Sequence, residues 1–243
     1  MKNSKKKIVI TGGSGRFGSY IKSLKSKHVL YFPSKKKLNI LNTKNIKNYL
    51  KRIKPSILIH LAGLSRPMNL HDLDIEKSIN LNIIGTANIT KICSELDIKL
   101  IYFSTNYVYP GTKGNYKEID PLKPVNSYAW SKLGGEASVH LYKNSLILRV
   151  CMTEKPFVHK KAFANVKTSF IYHQDVAKIL FRLLNKKGII NIGGKSQFIY
   201  NFAKKDNKKV KKIFMKKNSK TKLPFDSSLN LSKLKKYINK GSL

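Results

Sequence analysis

The sequence predicts an α/β fold in which a doubly wound parallel sheet is followed by a small, trimmed C-terminal lobe. Short apolar runs alternate with helical stretches through the first 150 residues, the pattern of a parallel sheet with helices on both faces. The 243 residues, 41% of them hydrophobic, suffice for one such domain and a small additional lobe. Because the alternation loosens after Val150, we predict one domain over residues 1–150. A reduced lobe, containing the last sheet elements and a basic C-terminal segment, is predicted over 151–243.

The individual elements follow from apolar periodicity and the turn residues that bound it. Up to Val150 we predict strands over residues 8–11, 28–32, 56–61, 99–104 and 145–150. The intervening helices are predicted over 17–27, 43–53, 73–95 and 125–142, with Asn42 or Thr43 as the cap of the second. Beyond Val150 we predict a helix over 175–185, a strand over 189–192 and a last helix over 231–238.

Composition excludes several classes of protein. No apolar run approaches the roughly 20 residues that span a bilayer, and only Ile8, Val9 and Ile10 follow the basic N-terminus, too few for a signal-peptide core. Two cysteines, Cys93 and Cys151, provide neither a disulfide framework nor a metal site. We therefore expect a cytoplasmic protein with no membrane span.

The charge is unusual, with 49 basic against 12 acidic residues and a formal net charge of +37. The positive electrostatic potential of such a protein attracts polyanions and speeds the capture of phosphorylated ligands. Only five of the basic residues are arginines, the residue with which many nucleic-acid-binding proteins bind the edges of bases. Codons rich in A and T explain much of the excess of lysine. We expect a phosphorylated small ligand and no nucleic acid. The Lys204–Lys222 segment, with 10 lysines in 19 residues, reads as a solvated connector, with a polyanion-binding arm as the alternative.

A glycine-rich turn follows the first predicted strand. Its glycines fall at positions 12, 15 and 18, and Arg16 and Phe17 lie between the last two. A strand-to-helix turn of this kind frees backbone N–H groups for a pyrophosphate at the helix N-terminus. The position within a βαβ unit predicts a Rossmann-type dinucleotide site at Gly12, Gly15, Arg16, Phe17 and Gly18.

Charge indicates which dinucleotide binds. NAD-selective sites usually place an acidic residue after the second strand, on the ribose 2′-hydroxyl. Here no acidic residue precedes Asp72, whereas Ser34 and Lys35 follow the second strand directly. A hydroxyl beside cations suits a 2′-phosphate, so we predict NADP(H) over NAD(H).

A tyrosine and a lysine lie one helical turn apart in the predicted fourth helix. A lysine ammonium lowers the pKa of a nearby phenol, so Tyr128 beside Lys132 suits proton transfer to a carbonyl oxygen. Thr105 ends the fourth strand, at the sheet edge where open α/β sheets place ligands. Its hydroxyl is a candidate partner for the same carbonyl, with a backbone cap as the alternative role.

An ordered set of motifs resembles the extended short-chain dehydrogenase/reductases that act on nucleotide sugars, and most closely the dTDP-4-dehydrorhamnose reductases. The set covers nearly the whole chain and comprises Gly12-x-x-Gly15-x-x-Gly18, His60-Leu61-Ala62-Gly63, Asn82-x-x-Gly85-Thr86, Ser104-Thr105-Asn106-Tyr107-Val108 and Tyr128-x-x-x-Lys132-x-x-Gly135-Glu136. The resemblance implies NADP(H)-dependent reduction of a nucleotide-linked 4-keto-deoxysugar. It implies Thr105, Tyr128 and Lys132 as catalytic residues. It also implies a cofactor cleft lined at Leu61, Ala62 and Gly63, with Asn39 at the adenine and Asn82 in the adjoining helix.

The chain also departs from that family. Asn106 stands in place of the family's aspartate, and Asn39 replaces another. Only a short stretch separates Arg149 from Asp175. The Val150–Phe170 segment must therefore perform the sugar-nucleotide recognition of a longer region, with Arg149, His159, Lys160 and Lys161. A nucleotide-sugar epimerase and a non-catalytic dinucleotide-binding regulatory protein are therefore alternatives. Pairing through helices, by analogy, gives a possible homodimer.

Overall fold

The computed structural model describes residues 5–216 and 222–238, and its centre is a parallel six-stranded sheet of the Rossmann type. The sheet order is β2-β1-β3-β4-β5-β10, formed by Val29–Tyr31, Lys7–Thr11, Ile57–His60, Lys99–Thr105, Ser145–Val150 and Gly188–Ile192. β1 pairs in parallel with both β2 and β3, and β3 with β4. The strand order reverses next to β1, as the predicted doubly wound sheet requires.

Helices connect these strands. The α-helices are α1 Arg16–Ser23, α2 Thr43–Ile53, α3 Leu70–Leu73, α4 Ile75–Ser78, α5 Gly85–Glu95, α6 Ser127–His140, α7 His173–Arg182, α8 Ile199–Ala203 and α9 Ser232–Lys235. A π-helix spans Ile79–Ile84, and a 3₁₀ turn spans Asn106–Val108. The Asn42 side chain caps α2 by accepting from the Asn45 N–H.

Short strands complete the second half of the chain. They are β6 Met152–Thr153, β7 Lys161–Phe163, β8 Lys167–Thr168, β9 Ile171–Tyr172, β11 Gln197–Phe198 and β12 Lys211–Ile213. They form three separate pairs, β6 with β9, β7 with β12 and β8 with β11. None of these strands was predicted, because two or three residues are too few to show a period.

The structure corrects three predicted helices. The helix predicted over 17–27 ends at Ser23, and the one predicted over 231–238 is confined to Ser232–Lys235. The single helix predicted over 73–95 is divided, because its middle turn widens into the π-helix. Residues 217–221 of the predicted basic segment lie outside the described residues.

The chain forms two compact units that interleave along the sequence. The first comprises residues 1–104, 131–147 and 184–188, and the second comprises 105–130, 148–183 and 189–243. In the first unit the β1, β3 and β4 strands are buried and Phe17 packs on Phe103, with ring centroids 5.3 Å apart. In the second unit Phe157, Val166, Phe202 and other apolar residues form a cluster of their own.

Cys93 and Cys151 are both buried and form no disulfide. Among the helices of residues 5–216 and 222–238, none is long and apolar enough to cross a membrane.

Candidate functional site

The glycine turn after β1 is held in one conformation. Gly12 has φ +71°, and the Gly15 N–H donates to the Gly12 carbonyl at 3.0 Å. A Cβ on Gly12 would lie 2.6 Å from the Ala62 nitrogen, and one on Gly18 would collide with the Gly12 carbonyl. α1 then begins at Arg16 without a side-chain cap, so its N-terminal dipole end is available to an anion. This part of the chain fits a dinucleotide pyrophosphate.

His60 fixes the ends of β1 and β3 side by side in the first unit. Its Nδ1 lies 2.8 Å from Thr11 Oγ1, and its Nε2 lies 3.2 Å from Thr86 Oγ1. The Thr86 hydroxyl already donates to the Asn82 carbonyl, so Nε2 is the protonated nitrogen and Nδ1 accepts from Thr11. Complete burial lowers the pKa of His60 to about 3. The ring is therefore neutral, and Thr11 Oγ1 also accepts from the N–H groups of the Leu61–Ala62 turn.

The segment after β2 approaches the glycine turn. A Cβ on Gly13 would lie 2.8 Å from the Phe32 ring, which shows how closely the two segments pack. Ser34 and Lys35 are exposed just beyond. The Asn39 side chain accepts from the Leu41 N–H at 3.0 Å, so its oxygen stabilises a turn. Ser34 and Lys35 have the exposure that a 2′-phosphate contact needs, whereas the Asn39 side chain already takes part in a turn.

The π-helix carries Asn82 into the interior of the first unit. Its amide oxygen accepts from the Leu64 N–H at 2.7 Å, and its nitrogen donates to the Leu64 carbonyl and to Ser131 Oγ, both at 2.8 Å. A Cβ on Gly63 would lie 2.7 Å from that amide oxygen. Asn82 thus clamps the turn after β3 and ties it to α6, which is a positioning role and not direct contact with reacting atoms.

Lys132 lies on α6 beside an aromatic ring and a carboxylate. Its ammonium is 4.3 Å from the Tyr102 ring centroid, and the Tyr102 hydroxyl donates to the Lys132 carbonyl at 3.0 Å. Burial lowers the pKa of Lys132 to about 7, and the Glu136 carboxylate offsets part of that shift. Glu136 itself is held by the Ser104 hydroxyl at 2.5 Å. Lys132 can therefore change its charge near neutral pH.

Thr105 and Tyr128 both belong to the second unit. Thr105 Oγ1 accepts from the Tyr107 N–H at 3.3 Å and caps the 3₁₀ turn, so the capping role considered from the sequence is present. The Tyr107 and Tyr128 rings meet edge to face with centroids 6.5 Å apart. Tyr128 lies one turn before Lys132 on the continuous helix α6, as predicted.

The contacts of Asn106 explain why an asparagine stands at this position in place of an aspartate. Its amide nitrogen donates to Ser227 Oγ at 2.9 Å and to the Ser227 carbonyl and Thr168 Oγ1, both at 3.2 Å. A carboxylate cannot donate, so asparagine is the residue that this buried environment requires.

Arg149 does not perform the recognition expected of it. The side chain is only 3% exposed, and its guanidinium donates to the Tyr109 hydroxyl at 2.8 Å and to the Glu118 carbonyl at 3.0 Å. Asn191 accepts from the same Tyr109 hydroxyl. These bonds make Arg149 part of the polar core of the second unit, where it stabilises the strand end.

From the sequence, Ser104 and Glu136 were identified only as members of the motif set, whereas Tyr102, Ser131 and the contacts that surround Lys132 were missed. Tyr102 and Ser104 both bond to α6. They lie two residues apart on the strand β4, and Glu136 lies four residues after Lys132 on a helix. These spacings place side chains on one face, so they could have indicated all three residues from the sequence. His71, which bonds to Ser78 at 2.7 Å and lies 3.5 Å from Ser131 Oγ, gave no such signal.

The fold and the glycine turn define a Rossmann-type α/β protein of the extended short-chain dehydrogenase/reductase class. The chain belongs to the RmlD substrate binding domain family, whose model it matches over residues 6–166. It is 32% identical over 155 residues to methionine adenosyltransferase 2 subunit beta from Xenopus tropicalis, covering 60% of this chain and 46% of that protein. The chain thus spans about half the length of the curated relatives it matches.

Solved structures share the fold over nearly the whole chain. A dTDP-4-dehydrorhamnose reductase from Bacillus anthracis, in complex with NADP, superposes with a TM-score of 0.85 at 23% identity, covering 95% of this chain and 92% of that one. A hypothetical dTDP-4-dehydrorhamnose reductase from Sulfolobus tokodaii gives 0.85 at 26% identity, with 97% and 96% covered. The Bordetella bronchiseptica enzyme WbmG, in complex with NAD, gives 0.75 at 19% identity, with 97% and 88% covered.

Proposed function

We propose that the protein reduces a nucleotide-linked 4-keto-deoxysugar with NADP(H). The observation that carries this proposal is the helix α6, which presents Tyr128 and Lys132 one turn apart. Membership of the RmlD substrate binding domain family supports it, as does the likeness to solved dTDP-4-dehydrorhamnose reductases. Thr105, at the end of β4, completes the proposed catalytic set.

The cofactor proposal rests on the glycine turn and the charge around it. Gly12, Gly15 and Gly18, with the backbone of Arg16 and Phe17, would hold the pyrophosphate at the uncapped start of α1. Leu61, Ala62 and Gly63 would line the cleft beside them. Ser34 and Lys35 favour a 2′-phosphate, and NADP is the ligand of the Bacillus anthracis neighbour. Because the neighbour WbmG is described with NAD, the preference for NADP(H) stays a prediction.

The proposed chemistry divides the reduction into two transfers. The reduced nicotinamide, when bound, supplies a hydride to the keto carbon, and Tyr128 supplies the proton to the keto oxygen. Thr105 would orient that oxygen through its hydroxyl hydrogen, which remains available because Oγ1 acts only as acceptor toward Tyr107. Lys132 would hold the nicotinamide ribose and, when charged, lower the pKa of Tyr128. Glu136 and Tyr102 position Lys132 for this role.

The first test is NADPH oxidation followed at 340 nm with dTDP-4-keto-6-deoxyglucose and with other 4-keto sugar nucleotides. We expect turnover by the unaltered protein and a loss of at least about 100-fold in kcat for Tyr128→Phe, the usual scale of a general acid. Tyr49→Phe, which removes a hydroxyl from α2, serves as the matched control and should retain full activity. Equal rates for the Tyr128 and Tyr49 variants would contradict the proposal.

A second function is favoured by one observation, the 32% identity to a protein named as a subunit of methionine adenosyltransferase. In that case the chain would bind a dinucleotide and serve a partner without turning over substrate. NADPH binding measured by fluorescence, combined with the turnover assay, separates the two functions. Binding that survives Tyr128→Phe, with no turnover across the sugar panel, would favour the regulatory function over the reductase. An epimerase would instead release a sugar isomer without net NADPH oxidation.

The assignment of the cofactor and substrate contacts to two parts of the chain is also a proposal. We assign the cofactor and the catalytic helix to residues 1–150 and the remaining substrate contacts to residues 151–243. A cytoplasmic location is a prediction that centrifugation of cell fractions would check. A homodimer is a prediction that analytical ultracentrifugation of the purified protein would check.

A further inference from the structure

The 3₁₀ turn after β4 adjoins both hydroxyl groups to which the proposed reduction assigns a role. The turn spans Asn106–Val108, and the Thr105 hydroxyl caps its start by accepting from the Tyr107 N–H at 3.3 Å. The Tyr107 ring contacts the Tyr128 ring edge to face, with centroids 6.5 Å apart. The position of this one turn therefore influences both Thr105 and Tyr128.

One buried amide anchors the turn from the interior of the second unit. The Asn106 side-chain nitrogen donates to Ser227 Oγ at 2.9 Å and to Thr168 Oγ1 at 3.2 Å. The Ser227 carbonyl accepts from the same nitrogen at 3.2 Å. Asn106, Thr168 and Ser227 are all buried, so bulk solvent does not compete for these bonds. The amide is therefore held in one orientation, and the turn is held with it.

The two hydroxyls that accept from this amide lie side by side on different segments. The Lys167 N–H donates to the Phe225 carbonyl at 2.8 Å, and the Ser227 N–H donates to the Lys167 carbonyl at 3.0 Å. This bridge places Thr168 Oγ1 3.0 Å from Ser227 Oγ. Thr168 and Ser227 lie 62 and 121 residues after Asn106 in the chain. Two remote segments thus supply the acceptors that fix the turn.

We propose that Thr168 and Ser227 are positioning residues for the Thr105 hydroxyl. They act through the Asn106 amide, which fixes the turn that Thr105 caps, and neither needs to contact the substrate. Their role rests on the proposed reduction, in which Thr105 orients the keto oxygen. A displacement of about 1 Å can reduce a rate about 100-fold, so a hydroxyl beside a loosened turn would orient this oxygen poorly.

Two neighbouring hydroxyls provide a matched control. Ser169 and Ser228 are the next residues in the same two segments, and they are buried as well. Ser169 Oγ accepts from the Leu229 N–H at 3.1 Å, and Ser228 Oγ accepts from the Asn115 N–H at 2.9 Å. Removing these two hydroxyls breaks buried hydrogen bonds of the same kind, but these bonds are not the ones that anchor the turn.

The anchor pair of substitutions is Thr168→Val/Ser227→Ala, which removes both hydroxyl acceptors of the amide with little change in volume. The control pair is Ser169→Ala/Ser228→Ala. NADPH oxidation with dTDP-4-keto-6-deoxyglucose and the other 4-keto sugar nucleotides of the first test gives kcat and KM. Hydrogen–deuterium exchange of residues 105–109, followed by mass spectrometry, reports the opening of the turn without substrate. Thermal melting checks that each variant is folded.

We expect the anchor pair to lower kcat at least about 10-fold while KM changes less than about 2-fold, the pattern of an interaction made in the transition state. Exchange of residues 105–109 should become about 10-fold faster or more, because opening the turn costs less free energy. The control pair should lose a similar amount of stability but keep kcat, KM and this exchange within about 2-fold of the unaltered protein. Thr168→Ser, which keeps the hydroxyl, should retain the unaltered rate.

Equal losses of kcat in the two pairs would show that the four hydroxyls act only through stability and would overturn the proposal. Unchanged exchange in the anchor pair would overturn it too, because the turn would then not depend on the anchor. Absence of turnover in the unaltered protein would refute the proposed reduction and with it the positioning role, whereas the exchange comparison would still establish or refute the anchor. If the anchor pair does not fold, Ser227→Ala is compared with Ser228→Ala, and the same differences are expected.

Discussion

The two units of the molecule are stabilised in different ways. The first is built on α1, α2 and α5, which have 8, 11 and 11 residues, and on strands such as β3, which is buried along its length. The second contains strands of two or three residues joined by side-chain hydrogen bonds such as those of Asn106. Longer elements with a buried face thus make up the first unit, whereas the second combines an apolar cluster with polar side chains that join its short strands. A substitution should therefore act through backbone packing in one and through hydrogen bonding in the other.

Gly12→Ala should give the largest effect, since it places a methyl group against the backbone of Ala62 at a φ of +71°. We expect a loss of about 3–5 kcal/mol in the free energy of unfolding, from left-handed strain plus overpacking. Urea denaturation measures it. Gly15→Ala is the control, because its φ is −72° and a Cβ there would meet only the Gly12 carbonyl at 3.2 Å. A Gly12→Ala protein as stable as the control would refute tight packing of the turn.

Asn106→Asp should have the next largest effect, and it tests the second unit. A buried carboxylate would face the Ser227 carbonyl and lose the donors that bind Thr168 and Ser227. We expect a loss of about 2–4 kcal/mol at pH 7. The loss should diminish towards pH 4 as the new carboxyl group takes up a proton. Asn201→Asp, at an exposed position of α8, should stay within about 0.5 kcal/mol of the unaltered protein. Similar losses for both would contradict the account of Asn106.

The smallest expected effect is a pH dependence that arises from His60. Its pKa in the folded protein is about 3 against a usual 6.5, so between these values the unfolded chain binds a proton that the folded one excludes. Stability from this group is complete above pH 6.5 and is lost as the pH falls, by up to about 1.4 kcal/mol per pH unit. Denaturation at pH 7, 6 and 5 should show this slope in the unaltered protein and in the exposed-site control His140→Gln. His60→Gln should reduce it; an unchanged slope would show that another group causes it.

The comparison also explains how much could be predicted from the sequence. β5 and α2 were predicted with the observed bounds, and the glycine turn was placed correctly after β1, because each has a strong periodic or turn signal. The π-helix was missed, since a wide turn leaves an apolar pattern almost unchanged. Arg149 was misread, because a charged residue at a strand end gives no sign of the Tyr109 and Glu118 groups that bury it. The contacts of Asn106 join positions far apart in the chain, which no local pattern reveals.

The environment of Lys132 also has a consequence for covalent labelling. An amine whose pKa is about 7 has its lone pair free in roughly half of the molecules at neutral pH. An ordinary lysine, with a pKa near 10.4, has it free in fewer than about one molecule in a thousand. Mild acylating reagents distinguish amines on this basis. Because burial lowers this pKa, only a reagent small enough to reach the side chain beside Tyr102 and Glu136 would select Lys132 among the exposed lysines.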